Sequence, residues 1–137
     1  FMLNIPSVAF SLDSSNFKNL STASEVSKML ISKLIENPFS DSYLLNVNIP
    51  DVPIKDFKGL AVCKPGSRST AQKAIKLKSP RGDDFYWIGP VGNPLDHDEN
   101  DTDFHALNNK QASITPLQTS LFDEKITNKV KNWLEKF

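Results

Sequence analysis

The chain has 137 residues, which is enough for one domain and crowded for two. Its 16 basic and 16 acidic side chains give a formal net charge of zero, which argues against a uniformly basic nucleic-acid-binding surface. A single cysteine excludes an intrachain disulfide, and no apolar run approaches the ~18 residues that span a bilayer. We therefore expect a cytoplasmic location. Because Phe1 precedes Met2, we also expect the chain to be a piece of a longer protein.

The first 50 residues alternate between strand-like and helix-like patterns. Apolar side chains alternate with smaller ones over residues 5–12, which predicts a strand. Thr22 and Glu25 have the spacing of a capping box, which predicts the start of a helix that ends before Pro38. A second alternating run covers residues 44–50. Strand, helix and strand indicate a βαβ unit with parallel strands, although a helical hairpin flanked by loops also fits the pattern.

The middle of the chain has no helix signal. Short β-like runs occupy residues 59–63, 74–78 and 84–88, and glycines and prolines separate them. These runs predict antiparallel ribbons appended to the α/β unit. An irregular stretch follows over residues 89–103.

A strand and a helix are predicted at the end of the chain. Residues 112–117 form a strand-like run, in which Pro116 favours an edge or strand-end position. Ser120 and Asp123 have a helix-capping spacing. The helix behind them carries one apolar stripe. Its members are Ile126, Val130, Trp133, Leu134 and Phe137.

The zero net charge conceals two oppositely charged segments. Residues 55–81 contain eight basic side chains and one acidic one, a balance of +7. Residues 82–105 contain seven acidic side chains and no lysine or arginine, a balance of −7. The basic segment could attract phosphate or a partner's acidic loop, or both segments could be solvated ribbons. Nucleic-acid binding is not expected, because no known binding motif accompanies the basic segment.

Potential catalytic and metal-binding groups form no complete site. An EF-hand loop starting at Asp96 fails because it needs glycine at Asp101 and glutamate at Leu107, so a solvated acidic loop is the preferred interpretation. Cys63 lies in an apolar run without a CxxC partner, which favours a packed thiol over a nucleophile. No catalytic residue and no metal ligand is therefore assigned within this chain.

Four ordered segments resemble the C-terminal half of the SurE family of survival-protein 5′-nucleotidases. They are Leu44-Leu-Asn-Val-Asn-Ile-Pro50, Pro80-Arg-Gly with Tyr86-Trp-Ile-Gly89, Thr102-Asp-Phe104 and Ser113-Ile-Thr-Pro-Leu117. The resemblance implies an α/β fold, a Rossmann-like three-layer α/β/α sandwich with β-ribbon arms. It divides the chain into a βαβ unit (1–54), arms with an acidic loop (55–105), and a strand with the C-terminal helix (106–137).

The resemblance also implies a function. A SurE protein would be a metal-dependent phosphatase that acts on nucleoside monophosphates and, to some extent, polyphosphate. Its divalent ion, Mg²⁺ or Mn²⁺, would be held by residues that precede Phe1, and Asp83-Asp84 lies in the wrong context to replace them. The arms and the C-terminal segment would assemble a homodimer or homotetramer. A non-catalytic assembly module, whose basic arm meets a neighbour's acidic loop, is the alternative.

Three residues are candidates for substrate binding. Thr102 and Asp103 are polar residues of a loop within one of the resembling segments, and Arg81 is a possible phosphate contact. Arg81 and Asp103 could instead stabilise a turn or form a salt bridge between subunits.

Overall fold

A computed structural model describes residues 5–39, 43–95, 100–118 and 122–136. Six strands and three α-helices occupy these ranges, with one short 3₁₀ turn at Ile54–Asp56. In chain order they are β1 (Ser7–Asp13), α1 (Leu20–Glu36), β2 (Leu44–Pro50), β3 (Leu60–Val62), β4 (Ile75–Lys78), β5 (Asp84–Trp87), α2 (Asp103–Asn108), β6 (Ala112–Leu117) and α3 (Glu124–Leu134).

The main sheet is mixed and has the strand order β1-β2-β6-β3. β1 and β2 are parallel and joined through α1, which confirms the predicted βαβ unit over the helical hairpin. β6 runs antiparallel to β2, and β3 runs parallel to β6. The register pairs Phe10 with Val47 and Leu12 with Ile49, so the apolar sides of both strands lie on the same face.

α1 packs on this apolar face and forms the core. Val26 and Leu30 of the helix are buried against Val47 and Ile49, which are 0% and 1% exposed. Every second residue of β2 is buried in this way, because successive side chains of a strand point to opposite faces. α2 contacts β6 and β2, and residues of α2 line a cleft with side chains of the opposite, more polar face. Helices therefore lie on both faces of the sheet, as the three-layer fold requires.

The predicted capping box at the start of α1 is wrong. The helix begins at Leu20 with Asn19 as its N-cap, so Thr22 lies inside the first turn, where its side chain is completely buried. The backbone N–H groups of Lys18 and Asn19 donate instead to the carboxylate of Asp51, at 3.0 and 2.7 Å. Asp51, in the segment after β2, therefore binds the backbone that leads into α1, and the helix itself has no side-chain cap.

Among the residues that the structure describes, the middle segment contains one two-stranded ribbon rather than several. β4 and β5 pair antiparallel, with Ile75 opposite Trp87 and Lys78 opposite Asp84, as predicted. β3 does not belong to a ribbon, because it joins the main sheet parallel to β6. A three-residue strand between turns has no local signal for its partner, since the partner lies about 50 residues away in the chain.

Pro116 lies near the end of β6, which is an interior strand. Cys63 N–H donates to the carbonyl of Ile114 and Ala112 N–H to that of Gly59, so alternate residues of β6 face the β3 side. Pro116 also faces the β3 side, but β3 ends at Val62, which is the register partner of Ile114. The missing N–H of proline therefore breaks no hydrogen bond with β3, and of the two predicted positions the strand end is the observed one.

The C-terminal helix α3 is capped by Asp123, whose side chain accepts a hydrogen bond from Lys125 N–H at 2.9 Å. Ser120 and Phe137 of the predicted cap and stripe lie outside the described residues. The apolar side chains that the structure describes on this helix are about half exposed or more. They are Ile126, Val130, Trp133 and Leu134.

The two charged segments are partly paired with each other. Lys76 Nζ lies 2.6 Å from Asp84 Oδ2 across the β4–β5 ribbon, and Lys64 Nζ lies 3.3 Å from Asp101 Oδ1. The acidic residues 96–99 lie outside the described residues. Within the described ranges, no helix is long and apolar enough to cross a membrane.

Candidate functional site

A cleft of about 460 Å³ opens at the carboxyl ends of β1 and β2. Open α/β sheets bind ligands at this edge, because the loops that leave parallel strands converge there. Five segments that are separated in sequence form its walls. The lining residues are Ser11, Leu12 and Asp13 of β1, Asn48 of β2, Gly66, Arg68 and Pro94 of two loops, and Asp103, Phe104, Leu107 and Asn108 of α2.

The strand wall of the cleft is polar. Ser11 and Asn48 are register partners on β1 and β2, so they lie side by side on the face opposite the core. Asn48 contributes an amide to this wall, and Asp13 adds a carboxylate at the end of β1. These side chains can donate and accept hydrogen bonds with a small polar ligand.

The opposite wall is the start of α2. Thr102 is completely buried and caps this helix, since its Oγ1 accepts a hydrogen bond from His105 N–H at 3.3 Å. Asp103 Oδ1 accepts from Gly66 N–H and from Phe104 N–H, each at 2.9 Å. Asp103 N–H donates to the carbonyl of Lys64 at 3.1 Å. Asp103 therefore ties the loop of Gly66 to the helix and fixes that side of the cleft.

Gly66 allows the ring of Phe104 to lie against the backbone. A Cβ at Gly66 would lie 2.3 Å from Phe104 Cδ2 and 3.0 Å from Asp103 Oδ1, so any larger residue would displace the ring. The guanidinium of Arg68 lies over the Phe104 ring, and its central carbon is 4.7 Å from the centre of that ring. Its Nη1 donates to the carbonyl of Gly92 at 3.2 Å.

The three predicted substrate-binding residues lie in different places. Asp103 lines the cleft and Thr102 lies directly behind it as the helix cap. Arg81 is exposed in the turn between β4 and β5, where its N–H donates to Ser79 Oγ, and it is not among the described residues that line the cleft. The structure thus brings Thr102 and Asp103 to one site without Arg81, and substrate binding by any of them stays a prediction.

Sequence reasoning did not find five other lining residues, namely Ser11, Asp13, Asn48, Gly66 and Arg68. A signal was available for part of this set. Asp13 ends β1, and Asn48 lies two residues before Pro50, the last residue of the parallel strand β2. Polar residues at the carboxyl ends of adjacent parallel strands are candidates for a shared site. Arg68 belongs to the basic segment 55–81, but nothing in the sequence distinguished it from the other cations there, because its loop reaches the cleft only through tertiary contacts.

The described residues do not fit a divalent-metal site by themselves. They contain no group of three or more histidine, cysteine, aspartate or glutamate side chains that could hold an ion. Cys63 is buried, and burial raises the pKa of its thiol, with further contributions from the charges of Asp103 and Asp101. Both effects disfavour the thiolate, in agreement with a packed thiol.

Comparison with known proteins identifies the family. The family model described as "Survival protein SurE" matches residues 1–72, which is more than half of the 137 residues. The chain belongs to the SurE family. This confirms the resemblance carried by the four sequence segments.

Similar SurE proteins align with almost all of this chain. The 5′-nucleotidase SurE of Nitrosomonas eutropha is 43% identical over 134 residues, which are 98% of this chain and 54% of that protein. The 5′-nucleotidase SurE of Chromobacterium violaceum is 40% identical over 136 residues, 99% of this chain and 55% of that protein. The chain therefore spans about half the length of these relatives.

A solved SurE structure has the same fold. The crystal structure of the SurE protein from Aquifex aeolicus superimposes with a TM-score of 0.75 at 31% sequence identity. The match covers 98% of this chain and 53% of that one. The expected α/β fold with a ribbon arm is confirmed, while the subdivision into three segments stays a prediction.

Proposed function

We propose that the full-length protein is a metal-dependent 5′-nucleotidase that hydrolyses nucleoside monophosphates and, more weakly, polyphosphate. The observation that carries this proposal is the similarity of almost the whole chain to proteins named 5′-nucleotidase SurE. The polar cleft at the carboxyl ends of β1 and β2 supports it, because a small anionic substrate fits a site of this size and position.

The proposed cofactor is a divalent ion, Mg²⁺ or Mn²⁺, whose ligands would lie in the segment that precedes Phe1 in the full-length protein. The described residues of this chain do not fit the ion by themselves. The proposed role of this chain is to form two facing walls of the substrate site. Asn48 and Ser11 would hydrogen-bond the substrate from the sheet, while α2 and the Gly66 loop close the other side.

The test uses the full-length protein and a matched pair of asparagine variants. Asn48 and Asn46 lie on the same face of β2, but only Asn48 lines the cleft. Loss of a hydrogen bond to a charged group is worth about 1.5–3 kcal/mol, so Asn48→Ala should lower kcat/KM about 10- to 100-fold. Asn46→Ala should leave it unchanged.

Phosphate release is measured from a nucleoside 5′-monophosphate with Mg²⁺ or Mn²⁺, with a chelator, and from the corresponding 3′-monophosphate. The proposal expects release that needs the metal and prefers the 5′-ester. An absence of metal-dependent release, with either ion, refutes it. If Asn48→Ala and Asn46→Ala changed kcat/KM equally, the substrate site would not lie at this cleft.

We further propose a cytoplasmic homodimer or homotetramer that assembles through the β4–β5 ribbon and the C-terminal segment. Exposed apolar side chains on both elements support this, among them Trp87 on the ribbon and Trp133 on α3. Light scattering coupled to size exclusion tests it, because a monomeric full-length protein would contradict the proposal. A purely non-catalytic module is not favoured, since the similar proteins are named nucleotidases and part of the charge is paired within the chain.

A further inference from the structure

We propose that Arg68 binds the phosphate group of the substrate in the cleft. The inference rests on the proposed nucleotidase function and adds a specific residue to it. Arg68 is the only cation among the described residues that line the cleft, and two carboxylates, those of Asp13 and Asp103, share this lining. Without Arg68, the charged side chains among the described lining residues would all be acidic and would repel an anion. Arg68 therefore determines whether the cleft can accept a phosphate monoester.

The guanidinium is held in place before any substrate arrives. It lies 4.7 Å from the centre of the Phe104 ring, and its Nη1 donates to the carbonyl of Gly92 at 3.2 Å. The backbone around Arg68 is fixed as well, because it forms an antiparallel bridge with Pro94. Stacking on an aromatic ring leaves the edge of the guanidinium free to donate hydrogen bonds, and a fixed side chain loses less entropy on binding.

The positive charge of Arg68 is not neutralised by the residues that the structure describes. No carboxylate among them lies within ion-pair distance of its guanidinium, whereas Lys64 and Lys76 pair with Asp101 and Asp84. A guanidinium has five N–H donors in a planar fork, and one hydrogen bond to a carbonyl leaves a pair for a phosphate. A phosphate monoester supplies the matching acceptors and the opposite charge.

The test compares Arg68→Ala, Arg68→Lys and Lys73→Ala in the full-length protein. Lys73 is an exposed cation of the same basic segment that does not line the cleft, so its loss controls for overall charge. Arg68→Ala should raise KM for the nucleotide about 10- to 100-fold with a smaller change in kcat, because the contact exists in both the ground state and the transition state. Arg68→Lys should recover part of the loss, since lysine restores the charge but not the fork. Lys73→Ala should change nothing.

Inorganic phosphate and the free nucleoside, used as inhibitors, separate a phosphate contact from a base contact. The proposal expects Arg68→Ala to weaken inhibition by phosphate by the same factor as KM and to leave inhibition by the nucleoside unchanged. The reverse pattern, or an effect of Arg81→Ala in place of Arg68→Ala, overturns it.

Direct calorimetric binding of inorganic phosphate keeps this inference separate from the proposed function. If the wild-type protein hydrolyses no nucleotide, the nucleotidase proposal fails. Weaker phosphate binding in Arg68→Ala would then still support the contact, and unchanged binding would refute it. Thermal unfolding of each variant shows whether the loss of the Phe104 contact has altered the fold.

Discussion

Substitution of Gly66 by alanine would test how the cleft wall is built. The new Cβ would lie 2.3 Å from Phe104 Cδ2 and 2.6 Å from Phe104 Cε2. Carbon atoms pack at about 3.5–4.0 Å, so the ring would have to retreat by at least ~1 Å. The guanidinium of Arg68 stacks on this ring, and it would lose its support at the same time.

The expected magnitude follows from the cost of overpacking. Inserting a methyl group into a well-packed site typically costs about 1–3 kcal/mol. In a protein of 150–250 residues, 1 kcal/mol lowers Tm by about 2–4 °C, so Gly66→Ala should lower it by about 2–12 °C. KM for the nucleotide should rise as well, because Arg68 moves with the ring.

A double-mutant cycle with Phe104→Ala identifies the cause. Removing the ring eliminates the clash, so Gly66→Ala should cost about 0.5–3 kcal/mol less in the Phe104→Ala background than in the wild type. Gly82→Ala is the control, because Gly82 has a positive φ of 91° and no atom within 4 Å of its Cβ position. That substitution strains the backbone without touching Phe104. Its cost in free energy of unfolding should therefore be the same in the wild type and in the Phe104→Ala background. If Gly66→Ala cost the same free energy of unfolding in both backgrounds, the reasoning would be refuted.

Two further predictions concern side chains that bind backbone N–H groups at the starts of α1 and α2. The hydroxyl of Ser14 and the N–H of Lys18 are the main causes that lower the pKa of Asp51 to about 2, from 3.8. Its carboxylate therefore stabilises the fold above about pH 4, and this contribution is lost as the pH falls towards 2. Asp51→Asn should flatten the pH dependence of urea unfolding between pH 4 and pH 2, and an unaltered profile would contradict the network. Thr102→Ala should cost about 0.5–2 kcal/mol through loss of the α2 cap, whereas Thr102→Ser should keep both stability and activity. If the serine variant keeps its stability but loses activity, Thr102 contributes more than a cap.

The sequence predicted the elements whose signals are local. The alternating residues of β2 and the stripe of α1 are periodic within one element, and their periods correspond to a strand and a helix. The parallel pairing of β1 with β2 was predictable from chain order, because the two strands of a strand-helix-strand unit pack as parallel neighbours. The ordered segments indicated the SurE family, because several motifs in fixed order are far more specific than any one of them.

The tertiary structure decided where distant segments meet. Asp51 binds the N–H groups of the backbone that leads into α1 from more than 30 residues away, and β3 pairs with β6 far along the chain. The cleft likewise joins β1, β2, the Gly66 loop and α2. Periodicity describes only neighbours within one element, whereas these contacts depend on how elements pack across the sheet. For this reason the sequence by itself indicated the family and the βαβ unit, and only the folded chain placed Arg68 on Phe104 at the cleft.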